Sequence, residues 1–583
     1  MRTTRAIASL IHSLMLGSTA TVTAVVLSTA VVGCKDESQP EYWVEKLEDA
    51  SWRARSVNRL AQFFEDAVTR ANKDMKSPDV QDLINKTVEP LTKLYVEQYD
   101  MLDSKTRVAL IKLLADYRDK RAEPALKKAF EAFAKAPKSS KDESDIKWAA
   151  RANEDLKSEA LSVPMLEAFL KLKASSMLGG VVYKDLNKAM LVQPPNKAWV
   201  GPLVQKLEAE VTVPKNNKDK SLFDDYRDQL FWQTTSAEVL GRLGDGAAAE
   251  PLIKVLLDPS KADVQATALL ALVKLGKPAA DLATKLLKGE AEKLQTFQLR
   301  RIKEVSGQEV KGGSPHVQTA ALILGTIGRQ DSIPAMIAAL QAEKDDSTKA
   351  VIARELTKLP ATPESKEAFK QAYASLPLDA TIPPAGSAVE ALTEASGQFF
   401  DASMVEWLLE TAGNLKGEAD DRKAIQSTIS LTALKLAKPD QLPAVKAAIE
   451  RYGTKLEKDL FDQVQTLVTA CSSDAGCYLT ALTKSENQDQ NKQFVGIKAG
   501  YMLAVLGNEQ IRDKLVDSLG SINNAALRYV SAQVIDKLSP KGSKAVSDKL
   551  AKIIETNDKS ADREKAAGDS PLKQVMYRLD ARG

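Results

Sequence analysis

Ser236-Ala237-Glu238-Val239-Leu240-Gly241-Arg242-Leu243-Gly244-Asp245 runs, six residues on, into Pro251-Leu252-Ile253-Lys254-Val255-Leu256-Leu257. Ala237, Leu240 and Leu243 recur at the spacing of one helix face. Gly244 stands where a left-handed residue closes a helix. Pro251 opens a second apolar run at helical spacing, and proline suits a first helical position because its missing N–H is not needed there. The segment therefore reads as helix, glycine turn, proline, helix.

The same punctuation recurs along the chain. Apolar-glycine marks are Leu243-Gly244, Leu275-Gly276, Ile327-Gly328 and Leu506-Gly507. Upstream of two of them lie Val264, Ala268, Leu272 and Leu275, then Val317, Ala321, Leu324 and Ile327. Proline marks stand at Pro90, Pro124, Pro164, Pro202, Pro251, Pro334 and Pro443. Spacings of 34 residues (Pro90 to Pro124), 40 (Pro124 to Pro164) and 32 (Gly244 to Gly276) signal a stacked repeat. At 583 residues the chain exceeds what one compact core organises. Only 5% aromatic content, in a chain rich in Ala, Leu, Lys and Glu, favours helix over sheet. The expected fold is all-α, a solenoid of stacked helix pairs over most of Glu41 to Glu555.

The unit resembles the HEAT repeat and the related HEAT-like repeat of phycobilin lyases. The likeness is clearest in Ser236 to Leu340, which includes His316-Val317-Gln318-Thr319-Ala320-Ala321-Leu322-Ile323-Leu324-Gly325-Thr326-Ile327-Gly328. A further copy covers Ile497 to Leu519. Glu41 to Ala71 keeps the helical pattern without the glycine. The tetratricopeptide alternative lacks its Trp and Tyr signature and its strict period. Degenerate repeats are expected over 41–213, the clearest over 222–376 and a third set over 386–556, with 557–583 a polar tail or cap. Three stretches interrupt the array: a polar loop Pro214–Lys220, a lengthened repeat Gly289–Pro315, and Leu376–Ser387, read as a division.

The leader carries a separate signal. Met1-Arg2-Thr3-Thr4-Arg5 is basic, and Ala6 to Gly33 holds no acid, Lys or Arg. The stretch is long enough to span a bilayer, but it is rich in Ser, Thr and Ala, and no basic stop-transfer cluster follows. Val31-Val32-Gly33-Cys34 resembles the lipobox of bacterial lipoproteins. That resemblance implies removal of 1–33, lipidation of Cys34 with fatty acyl chains such as palmitate, and a tether over 34–40. More than one acyl chain makes such an anchor durable. Lys35, rather than Asp, points by the same resemblance to the outer membrane of a bacterial envelope, on its periplasmic face or at the cell surface.

In the oxidising compartment so implied, Cys471 and Cys477 are expected to form a disulfide. Ser472-Ser473-Asp474-Ala475-Gly476 between them reads as the turn of a helix hairpin. A redox pair is the weaker reading, since the spacing is not Cys-x-x-Cys, and a metal site lacks further ligands.

Chemistry is otherwise sparse. His316 is the one histidine beyond the leader, too few for a histidine-rich metal centre, and it reads as an exposed or capping-turn residue. Ser144-Asp145-Ile146-Lys147 matches Ser-x-x-Lys, but the Ser-Asp-Asn and Lys-Thr-Gly companions are missing. The adjacent pairs Asp224-Asp225 and Asp420-Asp421 do not share a helix face. Most carboxylates read as a solvated helix face. Trp43, Trp52, Trp148, Trp199, Trp232 and Trp407 read as core, and an exposed one would mark an interface.

Without the leader the charge falls from 81 − 78 = +3 to 79 − 78 = +1, which gives no electrostatic case for nucleic acid. The expectation is a membrane-tethered scaffold that binds other proteins, with no catalytic residues, metal or cofactor. A carrier or chaperone holding a lipid or small molecule is the alternative, and an enzyme the weakest reading. Roughly ten repeats at about 10 Å per helix layer would extend on the order of 100 Å, with the Cys471–Cys477 staple toward the far end.

Overall fold

The computed structural model describes residues 36–135, 140–176, 179–214, 219–310, 312–382, 386–457, 459–485, 490–559 and 569–582. Cys34 lies outside them. They fall into two compact units, Met1–Pro90 and Leu91–Gly583.

In the first unit, helices Pro40–Lys46 and Arg53–Arg70 precede the start of helix Pro78–Gln98. Trp43, Val57, Leu60, Phe64, Val80, Ile84 and Val88 are buried. The Trp43 indole N–H donates to the Glu37 carbonyl at 2.7 Å. Lys86 bridges Glu41 at 2.8 Å and Asp82 at 2.7 Å.

The proline marks are corrected in detail. Pro90 opens no helix; it lies inside Pro78–Gln98, where proline removes one rung of the hydrogen-bond ladder, and the boundary between the units falls there. The others sit second or third in their helices rather than first: Glu123–Lys135, Ser162–Lys171, Val200–Glu208, Ala249–Leu257, Ile333–Ala342 and Leu442–Tyr452. Each of these helices follows directly on a single 3₁₀ turn, such as Lys120–Ala122 or Gly246–Ala248. Several turns begin at a capping side chain: Asp119, Asn196 and Asp245 accept the N–H of Arg121, Ala198 and Ala247 at 2.9 Å each. An Asp or Asn five or six residues ahead of the proline is thus part of the joint, a signal the proline reading passed over.

Gly244, Gly276 and Gly328 close their helices with positive φ, as glycine allows. Gly507 does something else: a Cβ there would meet the Leu503 carbonyl oxygen at 2.5 Å and Leu538 at 2.8 Å. Its missing side chain admits the next helix pair.

Within the second unit most helices pack on a sequence neighbour, a next-but-one helix or both. Lys220–Leu243 lies on Val200–Glu208 and Ala262–Leu275. Lys277–Leu287 packs on Pro315–Ile327, which packs on Asp346–Leu356. This running neighbour pattern is that of an all-α solenoid. Among the described residues the sole extended pairing is the bridge Thr381–Ser387.

Gly289–Pro315 lengthens its repeat by a whole helix, Glu292–Ser306, which packs on Ala249–Leu257. Arg301 of that helix reaches Asp258 at 2.9 Å. At Leu376–Ser387, where the sequence predicts a division, packing continues from Asp346–Leu356 to Ala388–Ser396. The Ala388 N–H donates to the Ala380 carbonyl at 2.9 Å.

The carboxyl end departs from a purely sequential stack. Helix Asp569–Arg582 packs on Ala262–Leu275 as well as on Ala525–Lys537 and Lys544–Lys559. The chain's last described helix therefore returns to the middle of its unit.

Several carboxylates are core rather than solvated. Asp145 is buried against Arg107 at 2.5 Å, with the Tyr95 hydroxyl at 3.2 Å. Arg528 and Asp569 form another buried pair. Two lysines are also inside. Lys261, 5% exposed, donates to the carbonyls of Leu207 (2.5 Å) and Ala209 (2.9 Å). Lys498, with no exposure, donates to Lys435 (3.0 Å) and Ala437. Both ammonium groups thus sit at carbonyls left over at a helix C-terminus, where cations are favoured.

Candidate partner-binding cleft

Repeats bring distant stretches side by side, and one such meeting leaves a cleft of about 360 Å³ in the second unit. One wall is helix Ala525–Lys537. Tyr529, Gln533 and Lys537, four residues apart, form a stripe along it and line the cleft. The facing wall holds Lys358 and Pro360, just after helix Asp346–Leu356, with Gln398 and Phe400 around the 3₁₀ turn Gly397–Phe399. The carboxy-terminal helix supplies Gln574, Arg578 and Arg582.

Arg578 fixes this geometry. Its Nε donates to the Thr326 carbonyl at 2.8 Å and its Nη2 to the Gly325 carbonyl at 2.7 Å. Its Nη1 meets Asp536 at 2.6 Å. Gly328 makes the approach possible, since a Cβ there would stand 2.7 Å from the guanidinium carbon. Arg582 adds an ion pair to Asp536 at 2.9 Å and a bond to the Gly328 carbonyl at 3.2 Å. Burial pushes the Asp536 carboxyl up, but the two guanidiniums outweigh it and hold it below the usual carboxylate range.

The electrostatics of the cleft are lopsided. Its lining holds Lys358, Lys537, Arg578 and Arg582 against Asp536 alone, 4 − 1 = +3. Neighbouring carboxylates are already committed: Glu355 to Arg354 (3.0 Å) and Lys358 (2.6 Å), Asp401 to Lys366 (2.5 Å). Lys537 forms no ion pair among the described residues, and its amino group reaches only the Phe399 carbonyl, at 3.5 Å. Burial lowers its pKa, opposed by the charge of Asp401. Tyr529 is 46% exposed. Burial raises its hydroxyl pKa, with Arg578 opposing. The site can therefore bind a group carrying negative charge and hydrogen-bond acceptors.

The residues singled out from sequence lie elsewhere. Cys471 and Cys477 stand at disulfide distance, Cα to Cα 5.3 Å, joining helices Leu460–Cys471 and Ala475–Lys484. The turn is shorter than expected: Ala475 and Gly476 are already helical, and Asp474 caps them by accepting the Gly476 N–H at 2.8 Å. His316 is half-buried rather than exposed, and burial lowers its pKa. Trp43, Trp199 and Trp232 are buried; Trp52, Trp148 and Trp407 are half-buried. No group of three or more His, Cys, Asp or Glu suited to a metal occurs among the described residues. None of these residues enters the cleft. Its residues carry no local motif, and the chain order of about 326, 358, 398, 533 and 578 hides their meeting.

Residues 233–258 match the family model for the PBS lyase HEAT-like repeat. No curated relative matches the chain. Among solved structures, a crystal structure of importin beta aligns over 93% of this chain and 86% of its own, at 12% identity and a TM-score of 0.24.

Proposed function

We propose that this protein is a lipid-tethered, non-catalytic scaffold of a bacterial envelope, anchored through Cys34, whose HEAT-type array binds a protein partner. The observation that supports this reading best is the cleft: a repeat array holds basic and amide side chains from four distant stretches around one accessible hollow. Solenoids recognise partners through such scattered surface side chains. A Cys471–Cys477 disulfide fits the same oxidising compartment. The carrier reading calls for a large apolar groove, whereas this cleft mixes Pro360 and Phe400 with Lys537 and Gln533.

The test is purification from detergent-solubilised membranes. A stoichiometric protein partner is expected to co-purify. Incorporation of labelled palmitate is expected in the wild type and lost in Cys34→Ser, which should also leave the membrane fraction. Repeated recovery of the protein alone would overturn the scaffold reading, and palmitate labelling that survives Cys34→Ser would overturn the anchor.

A further inference from the structure

We infer that the cleft between helix Ala525–Lys537 and the Lys358–Phe400 wall is the docking site for an acidic peptide segment, with a peptide carboxylate seated on Lys537. This inference rests on the scaffold reading and names the chemistry of its partner. Three observations carry it. First, the lining holds four basic side chains against Asp536, still 4 − 2 = +2 once Glu355, the partner of Lys358, is counted, while the whole chain is nearly neutral. Second, every carboxylate bordering Lys537 is bound to another cation, which leaves its ammonium as the group able to take an added anion. Third, the stripe Tyr529, Gln533, Lys537 lines the same hollow as Gln398, and the Lys537 amino group reaches the neighbouring Phe399 carbonyl at 3.5 Å.

Amide side chains offer a donor and an acceptor together, matching the alternating N–H and C=O of an extended peptide. A lipid or an inorganic anion would make no use of that pairing. Phe400 and Pro360 give the peptide's side chains an apolar wall. The volume, about 360 Å³, is near the lower end for ligand pockets and suits a short anchoring stretch. Arg578 and Arg582 are spent on Asp536 and on backbone carbonyls; they shape the site rather than grip the ligand.

The test uses the full-length protein and fluorescein-labelled hexaglutamate, with hexaglutamine and hexalysine of equal length as controls, read by anisotropy. Saturable hexaglutamate binding is expected, weakening with added salt. Lys537→Glu should weaken it about tenfold or more, while Lys288→Glu, at an exposed lysine outside the cleft, should leave it unchanged. Thermal melts check that Lys537→Glu is folded, and Gln533→Ala provides a milder variant with the charge intact. Hexaglutamate bound no better than hexaglutamine, or equally well by a folded Lys537→Glu, would overturn the inference. If the native partner co-purifies equally with wild type and Lys537→Glu, the scaffold reading survives and the docking site falls. If neither recovers a partner, the scaffold reading itself fails.

Discussion

Two seams of the array solve the same problem with the same residue and differ in what surrounds it. At the first, Lys261 donates to the carbonyls of Leu207 and Ala209 at the end of helix Val200–Glu208; at the second, Lys498 does so at Lys435 and Ala437, at the end of helix Ala419–Leu436. The carbonyls are two residues apart in both. Lys261 has Asp258, Glu208 and Glu210 near it, with Arg301 opposing, and burial lowers its pKa to about 8. Around Lys498 burial acts alone and lowers it to about 7. The same pair of carbonyl acceptors therefore carries different electrostatic costs, set by neighbouring carboxylates.

The largest way to break the comparison is Lys498→Ala. It leaves two buried acceptors unpaired at about 1–3 kcal/mol each, so a loss of about 3 kcal/mol is expected in urea unfolding, against about 2 kcal/mol for Lys261→Ala. Next comes the Cys471→Ser, Cys477→Ser double variant, which asks how much of the second region rests on the staple. A ring this small contributes about 2 kcal/mol, readable as a lower urea midpoint matching that of the reduced wild type.

The pH dependence sharpens the contrast further. Between about pH 7 and 10.5, unfolded Lys498 holds a proton that the folded residue has lost. Unfolding then takes up a proton, so this lysine makes stability rise with pH, by at most about 1.4 kcal/mol per unit. Below about pH 7 both states are charged and its slope vanishes. Lys498→Met should remove a rise that begins near pH 7, and Lys261→Met one that begins near pH 8, in urea midpoints measured from pH 6 to 10. The smallest effect is Asp258→Asn. Removing the carboxylate that most opposes the burial effect should move the onset of the Lys261-dependent rise down, toward that of Lys498. An unmoved onset would mean that carboxylates do not distinguish the seams.

The regular part of the fold was legible because it is written locally. Gly244, Gly276 and Gly328 needed a conformation that L-residues avoid, and Pro251 and Pro334 stand in first turns, where no N–H is required. Where one residue type serves two physical ends, the reading slipped. Gly507 is small for packing, not for φ, and Pro90 sits inside a helix. Helix Glu292–Ser306 was hidden in a stretch judged only by its flanking glycines. The buried ions and the cleft were not legible at all. Asp145, Lys498 and Lys537 look like any surface residue until helices far away in sequence cover or face them.

Arg578 and Thr326 are 252 residues apart. A repeat array held only by adjacent contacts can melt from its ends, one unit at a time. Here the last described helix is clamped to the interior of the array, so fraying at that terminus must break contacts in the middle as well. Such long-range closure slows folding, because loop entropy is lost before the contact forms, and it ties the final turn of the chain to the cooperativity of the second unit.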